Sequence, residues 1–167
     1  MRLVTIIASI ILLFAACTGD DICREDLDRG MYANLYKMVY DDDLEQMAAE
    51  SYSVQMSVNG VGNDSIIYDE TLSTLYLPLQ KFGDTTSFAL TTTFMDEDSV
   101  YTIYNDTIHV YHTNEEEFVS LECGCAIMNT INSIAITTNV LDSVIIENSL
   151  VTSSSSNNIK IYLKDND

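Results

Sequence analysis

Two histidines, four cysteines and a surplus of carboxylates are the side chains of this sequence best suited to chemistry. His109 and His112 stand three residues apart, a spacing that sends them to opposite faces of a strand, so they cannot hold one metal ion together. His109 shares a face with Thr107 and Tyr111 and is expected on the solvent side. Cys123-Gly124-Cys125 has one intervening residue, whereas a dithiol redox centre has two and sits at a helix N-terminus. A zinc site needs four ligands, and only Cys23 and the two distant histidines remain to complete one. No Gly-x-Ser-x-Gly elbow, His-Glu-x-x-His pair or Gly-rich phosphate loop occurs. The acidic runs Asp41–Asp43, Asp96-Glu97-Asp98 and Glu115–Glu117 lack the spaced ligands, glycine and terminal glutamate of a calcium loop. They read as solvated turns that keep strand edges from pairing between molecules. Two carboxylates that converge in space suffice for a glycosidase, but the chain has no Trp to serve as a sugar platform. The expectation is a protein that is not an enzyme, with no cofactor and no metal.

The elements that must position these groups follow from composition and periodicity. The 167 residues suit one domain, and 47% are apolar, enough for a folded core. Lys and Arg number 7 against 26 Asp and Glu, a net charge of −19, which excludes a phosphate backbone as partner and so nucleic acid.

The first residues concern location. Met1-Arg2 precedes an apolar run from Leu3 to Ala16, too short for the about 20 residues that a membrane-spanning helix needs. Its positive start and small-residue end are those of a cleaved export signal. Leu13-Phe14-Ala15-Ala16-Cys17 resembles the lipobox of bacterial lipoproteins, with Phe14 where Leu is commoner. In that motif the Cys17 thiol carries a diacylglycerol, and a further palmitate-type acyl chain makes anchoring stable, since one chain binds only marginally. Thr18-Gly19-Asp20-Asp21 is either a surface-export signal or a solvated acidic tether. The expected location is the outer membrane, with the protein lipid-anchored and its periplasmic or cell-surface face left open.

With Cys17 lipidated, three cysteines remain in an oxidising space, so one disulfide and one spare thiol is the simplest account. On a strand Cys123 and Cys125 share the side of Val119, Leu121 and Ile127, which predicts buried structural sulfur. Cys23 is expected to pair with Cys123, closing the N-terminal segment onto the core.

From residue 52 to 163 the chain alternates with period two between turn signals. Tyr52, Val54, Met56 and Val58 form one face, then Leu75, Leu77 and Leu79, then Phe88, Leu90, Thr92 and Phe94. Pro78 favours an edge strand. Asn105-Asp106 reads as a two-residue hairpin turn between strands 99–104 and 107–112. Residues 117–138 read as two strands joined near Asn129 to Asn132. A strand over 143–151 and a polar Ser153–Asn158 loop lead to Ile159, Ile161 and Leu163. Residues 31–50 suit a helix face as well, but the Tyr-rich segment 31–40 favours a first strand and an acidic turn after it. About eight strands without an intervening helix imply an antiparallel β-sandwich.

Several runs resemble one family: Asp21-Ile22-Cys23, Leu72-Ser73-Thr74-Leu75-Tyr76-Leu77-Pro78-Leu79, Asp84-Thr85-Thr86-Ser87-Phe88, Phe118-Val119-Ser120-Leu121-Glu122-Cys123-Gly124-Cys125, and Asn158-Ile159-Lys160-Ile161-Tyr162. They are similar to a family of uncharacterised Bacteroidota outer-membrane lipoproteins, a domain of unknown function, over residues 17–163. The resemblance implies a small β-sandwich behind a lipid anchor and supports pairing Cys23 with Cys123. It brings no activity, cofactor or ligand. Five triplets beginning Asp64-Ser65, Asp84-Thr85, Asp98-Ser99, Asp106-Thr107 and Asp142-Ser143 resemble the O-glycosylation acceptor of exported proteins in this bacterial group. Ser65, Thr85, Ser99, Thr107 and Ser143 are therefore candidate modification sites. The same triplets arise where Asp closes a turn and a hydroxyl or β-branched residue opens a strand.

The expected organisation is a signal peptide over 1–16, a lipidated tether over 17–30, and a β-sandwich of immunoglobulin-like general shape over 31–164. The expected role is a non-enzymatic cell-envelope lipoprotein that binds or scaffolds another outer-membrane protein, with tyrosines 32, 36, 40, 101, 104 and 111 supplying contact area. The alternative is a surface glycan- or small-ligand-binding lipoprotein.

Overall fold

A computed structural model describes residues 29–43, 45–63, 65–95, 100–121, 123–152 and 157–165. The chain forms β1 (Gly30–Asp41), β2 (Gln46–Ser51), β3 (Val54–Gly60), β4 (Ile66–Leu72), β5 (Thr74–Pro78), β6 (Thr85–Met95), β7 (Tyr101–Ser120), β8 (Gly124–Ile136), β9 (Leu141–Ile146), β10 (Leu150–Val151) and β11 (Ile159–Leu163), and no helix occurs among the described residues. The segment that suited both states is therefore strand. Its alternation puts Met31, Ala33 and Leu35 into the core, which a helical period would not.

The strands make two sheets, one ordered β2-β1-β11-β9 with β5 also on β1, the other β10-β8-β7-β6-β3-β4. Met31, Leu35, Leu75, Leu77, Ile159 and Ile161 from the first meet Val54, Met56, Phe88, Leu90, Ile108 and Val110 from the second in one buried cluster. Each fully buried aliphatic side chain contributes about 1.5–3 kcal/mol of transfer free energy, and this shared core makes the pair of sheets a sandwich. β5 pairs only with β1, placing Pro78 opposite Gly30 at an edge, as its missing donor requires.

Four expectations are corrected. The sandwich is not antiparallel throughout, because β1 and β11 pair in parallel, Ala33 with Ile159 through Lys37 with Leu163. Asn105-Asp106 is no turn. The β6–β7 ladder runs through it, Thr91 opposite Asn105 and Leu90 opposite Asp106. The alternation of Tyr104, Asp106, Ile108 and Val110 continues unbroken and the reversal lies between Met95 and Tyr101. Asn129 to Asn132 lies inside β8 and the reversal comes at residues 121–123, where Gly124 supplies a φ of 72° that side-chain-bearing residues rarely adopt. Residues 143–151 are two short strands in different sheets, β9 and β10, with the chain crossing the sandwich between them.

Candidate functional site

β1 and β6 both start at the end of the sandwich where Pro78 meets Gly30 and the 79–84 loop turns. That root end holds the most developed polar network. His112 is 1% exposed, and its Nδ1 lies 2.7 Å from Asn114 Oδ1 and its Nε2 2.8 Å from Thr86 Oγ1. Asn114 Nδ2 donates to the carbonyls of Gln80, Lys81 and Gly83, which fixes Oδ1 as the acceptor that also takes Asn129 Nδ2 at 2.6 Å. A carboxamide oxygen only accepts, so His112 Nδ1 is the donor to Asn114, and in the neutral imidazole Nε2 then accepts from Thr86. The Thr86 oxygen in turn accepts the Gln80 N–H at 2.9 Å. Both ring nitrogens of His112 and both side-chain polar atoms of Asn114 are committed to this network. The loop carries Phe82, 96% exposed, beside an open depression lined by Lys81, Gly83, Asp84, His112 and Thr113.

From Glu115 onward the β7–β8 pair leaves the sandwich. β6 pairs with β7 no further than Tyr111, and β10 with β8 no further than Asn129. Glu115 to Ser120 and Gly124 to Met128 thus form a two-stranded ribbon about 20 Å long at roughly 3.3 Å per residue. Phe118 is 63% and Leu121 90% exposed. Arg29 ion-pairs with Glu117 on this ribbon at 3.2 Å, which ties the residue before β1 to it.

Elsewhere, Asp106 is a buried carboxylate on the core side of β7. Its Oδ1 accepts the Thr137 hydroxyl at 2.6 Å and the Asn139 N–H at 2.8 Å, and its Oδ2 the N–H groups of Val140 and Leu141. Burial pushes its pKa up, but the Thr137 hydroxyl and the three backbone donors outweigh that and hold it below the usual carboxylate range. This group closes the β8–β9 connection and has no oxygen left over for catalysis. At the far end of the sandwich Tyr40 faces Met47 and Met95 faces Tyr101 across their ladders, all four more than half exposed together with Ile103.

The expected site residues are not gathered into one place. Cys17, Cys23 and Ser99 lie outside the described residues. Cys123 is disulfide-bonded and half-buried in the ribbon's turn, its N–H on Ser120 Oγ. Cys125 is free and exposed, which corrects the expectation of buried sulfur. Among the described residues the ribbon runs past the opposite sheet, and the side of it that carries Phe118 and Cys125 is exposed. Ser65 and Ser143 are exposed, Thr85 and Thr107 half-buried, scattered over four strands or their approaches. His109 and His112 do face opposite ways, His109 to Ser87 and His112 to Thr86, although His109 is half-buried rather than fully solvated. Of the tyrosines, Tyr32 packs on Tyr76 and Tyr36 on Tyr162, while Tyr40, Tyr101 and Tyr111 stay exposed. Asp106, Asn114 and Asn129 were not picked out as functional side chains. For Asp106 the signal available was a polar residue on the apolar phase of an uninterrupted alternation.

No curated protein and no solved structure matches the chain. Residues 55–163, from β3 to the end of β11, match the model of a family of unknown function, DUF6452, and the chain belongs to that family.

Proposed function

We propose that the chain is a non-enzymatic outer-membrane lipoprotein of Bacteroidota type, of immunoglobulin-like general shape, lipidated at Cys17 and closed by a Cys23–Cys123 disulfide. Its role is to bind or scaffold another outer-membrane protein. The observation that carries the reading is the far end of the sandwich, where Tyr40, Met47, Met95, Tyr101 and Ile103 remain exposed on two hairpins with acidic connections, opposite the end at which Arg29 enters. Apolar anchors rimmed by charge are what a protein partner desolvates. The commitment of His112 and Asp106 to structural hydrogen bonds supports a role without catalysis. Among the described candidates Ser65 and Ser143 are the exposed hydroxyls for O-glycosylation, and an intact mass equal to the unmodified lipoprotein would remove that part of the reading.

The test is affinity capture of the lipidated protein from its native outer membrane. A near-stoichiometric envelope protein, lost when Met95, Tyr101 and Ile103 are changed to Ser, is expected. Nothing above background from membranes rich in the protein overturns it. The second reading, a glycan-binding module, draws on the outer face of β6 and β7, where the Ser87–His109 and Thr91–Asn105 pairs flank exposed tyrosines. Glycan-array binding lost in His109→Ala would favour it.

A further inference from the structure

The apolar side chains at the root end have no role in the far-end reading. Phe118 and Leu121 are among the most exposed large apolar residues of the protein, and both sit on the β7–β8 ribbon and its turn. Their position relative to the anchor is constrained by chain length. Cys17 precedes Arg29 by twelve residues, a reach of at most about 40 Å, and Arg29 is held on the ribbon through Glu117. Cys123, in the ribbon's turn, is disulfide-bonded. With Cys23 as its partner, six residues separate the lipid-bearing cysteine from the ribbon tip, a reach of only about 20 Å. On the lipid-anchor reading, the ribbon tip is the part of the fold held nearest the bilayer.

We propose that the ribbon tip forms a lipid-contacting foot, with Phe118 and Leu121 seated in the interfacial layer of the membrane that holds the anchor. This rests on the lipid-anchor reading. Aromatic and aliphatic side chains at a membrane surface gain by leaving water for the headgroup–acyl boundary. Glu115, Glu116 and Glu117 lie back from the tip and limit the depth, and their charge suits a zwitterionic rather than an anionic surface. The foot fixes the sandwich upright, so that the far end points away from the membrane.

The register supplies a reporter. Cys125 stands directly opposite Phe118 and is the free thiol among the described cysteines. The full lipidated protein, labelled at Cys125 with an environment-sensitive fluorophore, is reconstituted in phosphatidylcholine and phosphatidylethanolamine vesicles carrying nitroxide-labelled lipid. Blue-shifted emission quenched by the nitroxide is expected. A variant with Phe118→Ser and Leu121→Ser, both at exposed positions, should float with the vesicles and melt as before while its quenching falls about threefold or more. Protein that floats with Cys125 unquenched, or with quenching unchanged in the variant, overturns the foot alone. Shielding of the probe from an aqueous quencher without quenching from the lipid assigns the ribbon to a protein partner or a second copy and also overturns it. Protein that fails to float refutes the lipid-anchor reading, and the foot with it.

Discussion

Tyr32 and Asn158, 126 residues apart, exchange hydrogen bonds: the Tyr32 N–H donates to Asn158 Oδ1 at 2.9 Å and the Asn158 N–H to the Tyr32 carbonyl at 3.0 Å. The pair sits immediately before Ala33 and Ile159, where the parallel ladder of β1 and β11 begins. Asn158 also accepts the N–H groups of Glu147 and Asn148 on its carbonyl and donates through Nδ2 to the carbonyls of Asn148 and Leu150. One buried residue thus joins the first strand, the last strand and the crossover between the sheets. A one-residue slip at this corner would turn the core face of β11 to solvent.

Replacing Asn158 by Ala removes its side-chain acceptor and both its side-chain donors. The loss of stability expected at neutral pH is about 2–4 kcal/mol, read from urea unfolding. A change within the scatter of ordinary surface substitutions would mean that the ladder holds its register without the clamp.

Asp106 makes stability depend on pH with a definite sign. Its folded pKa lies below the ordinary value, so the unfolded chain binds more protons in the interval between the two. The contribution is complete above the unfolded value of about 3.9 and is lost as pH falls through the folded value. Asp106→Asn sets an amide NH₂ against backbone donors and should cost about 3 kcal/mol at pH 7. The gap between wild type and variant should close in acid. A gap that stays constant from pH 7 to pH 2 contradicts this account.

Thr92 is fully buried in β6, and its hydroxyl has no hydrogen-bond partner among the described residues. Thr92→Val keeps the shape and removes the unpaired group. A gain of about 1 kcal/mol is expected in thermal or urea unfolding, and a loss of stability would show that the hydroxyl is satisfied.

The three carbonyls around Asn114 Nδ2 predict the effect of a charge there. Asn114→Asp aims a carboxylate at the oxygens of Gln80, Lys81 and Gly83, with an expected cost of about 3 kcal/mol or more. The 79–84 loop should become the first site of limited proteolysis. Cleavage rates there equal to those of the wild type would detach the network from the loop's order.

The strand content was legible from alternation alone. Val54, Met56 and Val58, or Leu75 and Leu77, announce their buried face because a pleated strand repeats every two residues, and Pro78 announces an edge because it cannot donate. The reversals were less legible. Asn105-Asp106 has the composition of a hairpin turn, yet Asp106 is satisfied by donors 31 to 35 residues further on, which no local signal encodes. Cys125 carries an apolar-phase signature, but burial also requires an opposing sheet, and none of the described strands of the other sheet lies against it.

By itself, then, the sequence determined an acidic, all-strand chain with a core face on most of its strands, since side-chain period and composition are local properties. The tertiary structure alone decided that β1 and β11 run parallel, that Asp106 and Asn158 are buried clamps, and that the β7–β8 pair runs on beyond the ends of its neighbours β6 and β10. Each of these depends on which distant backbone donors and which opposing sheet a residue meets.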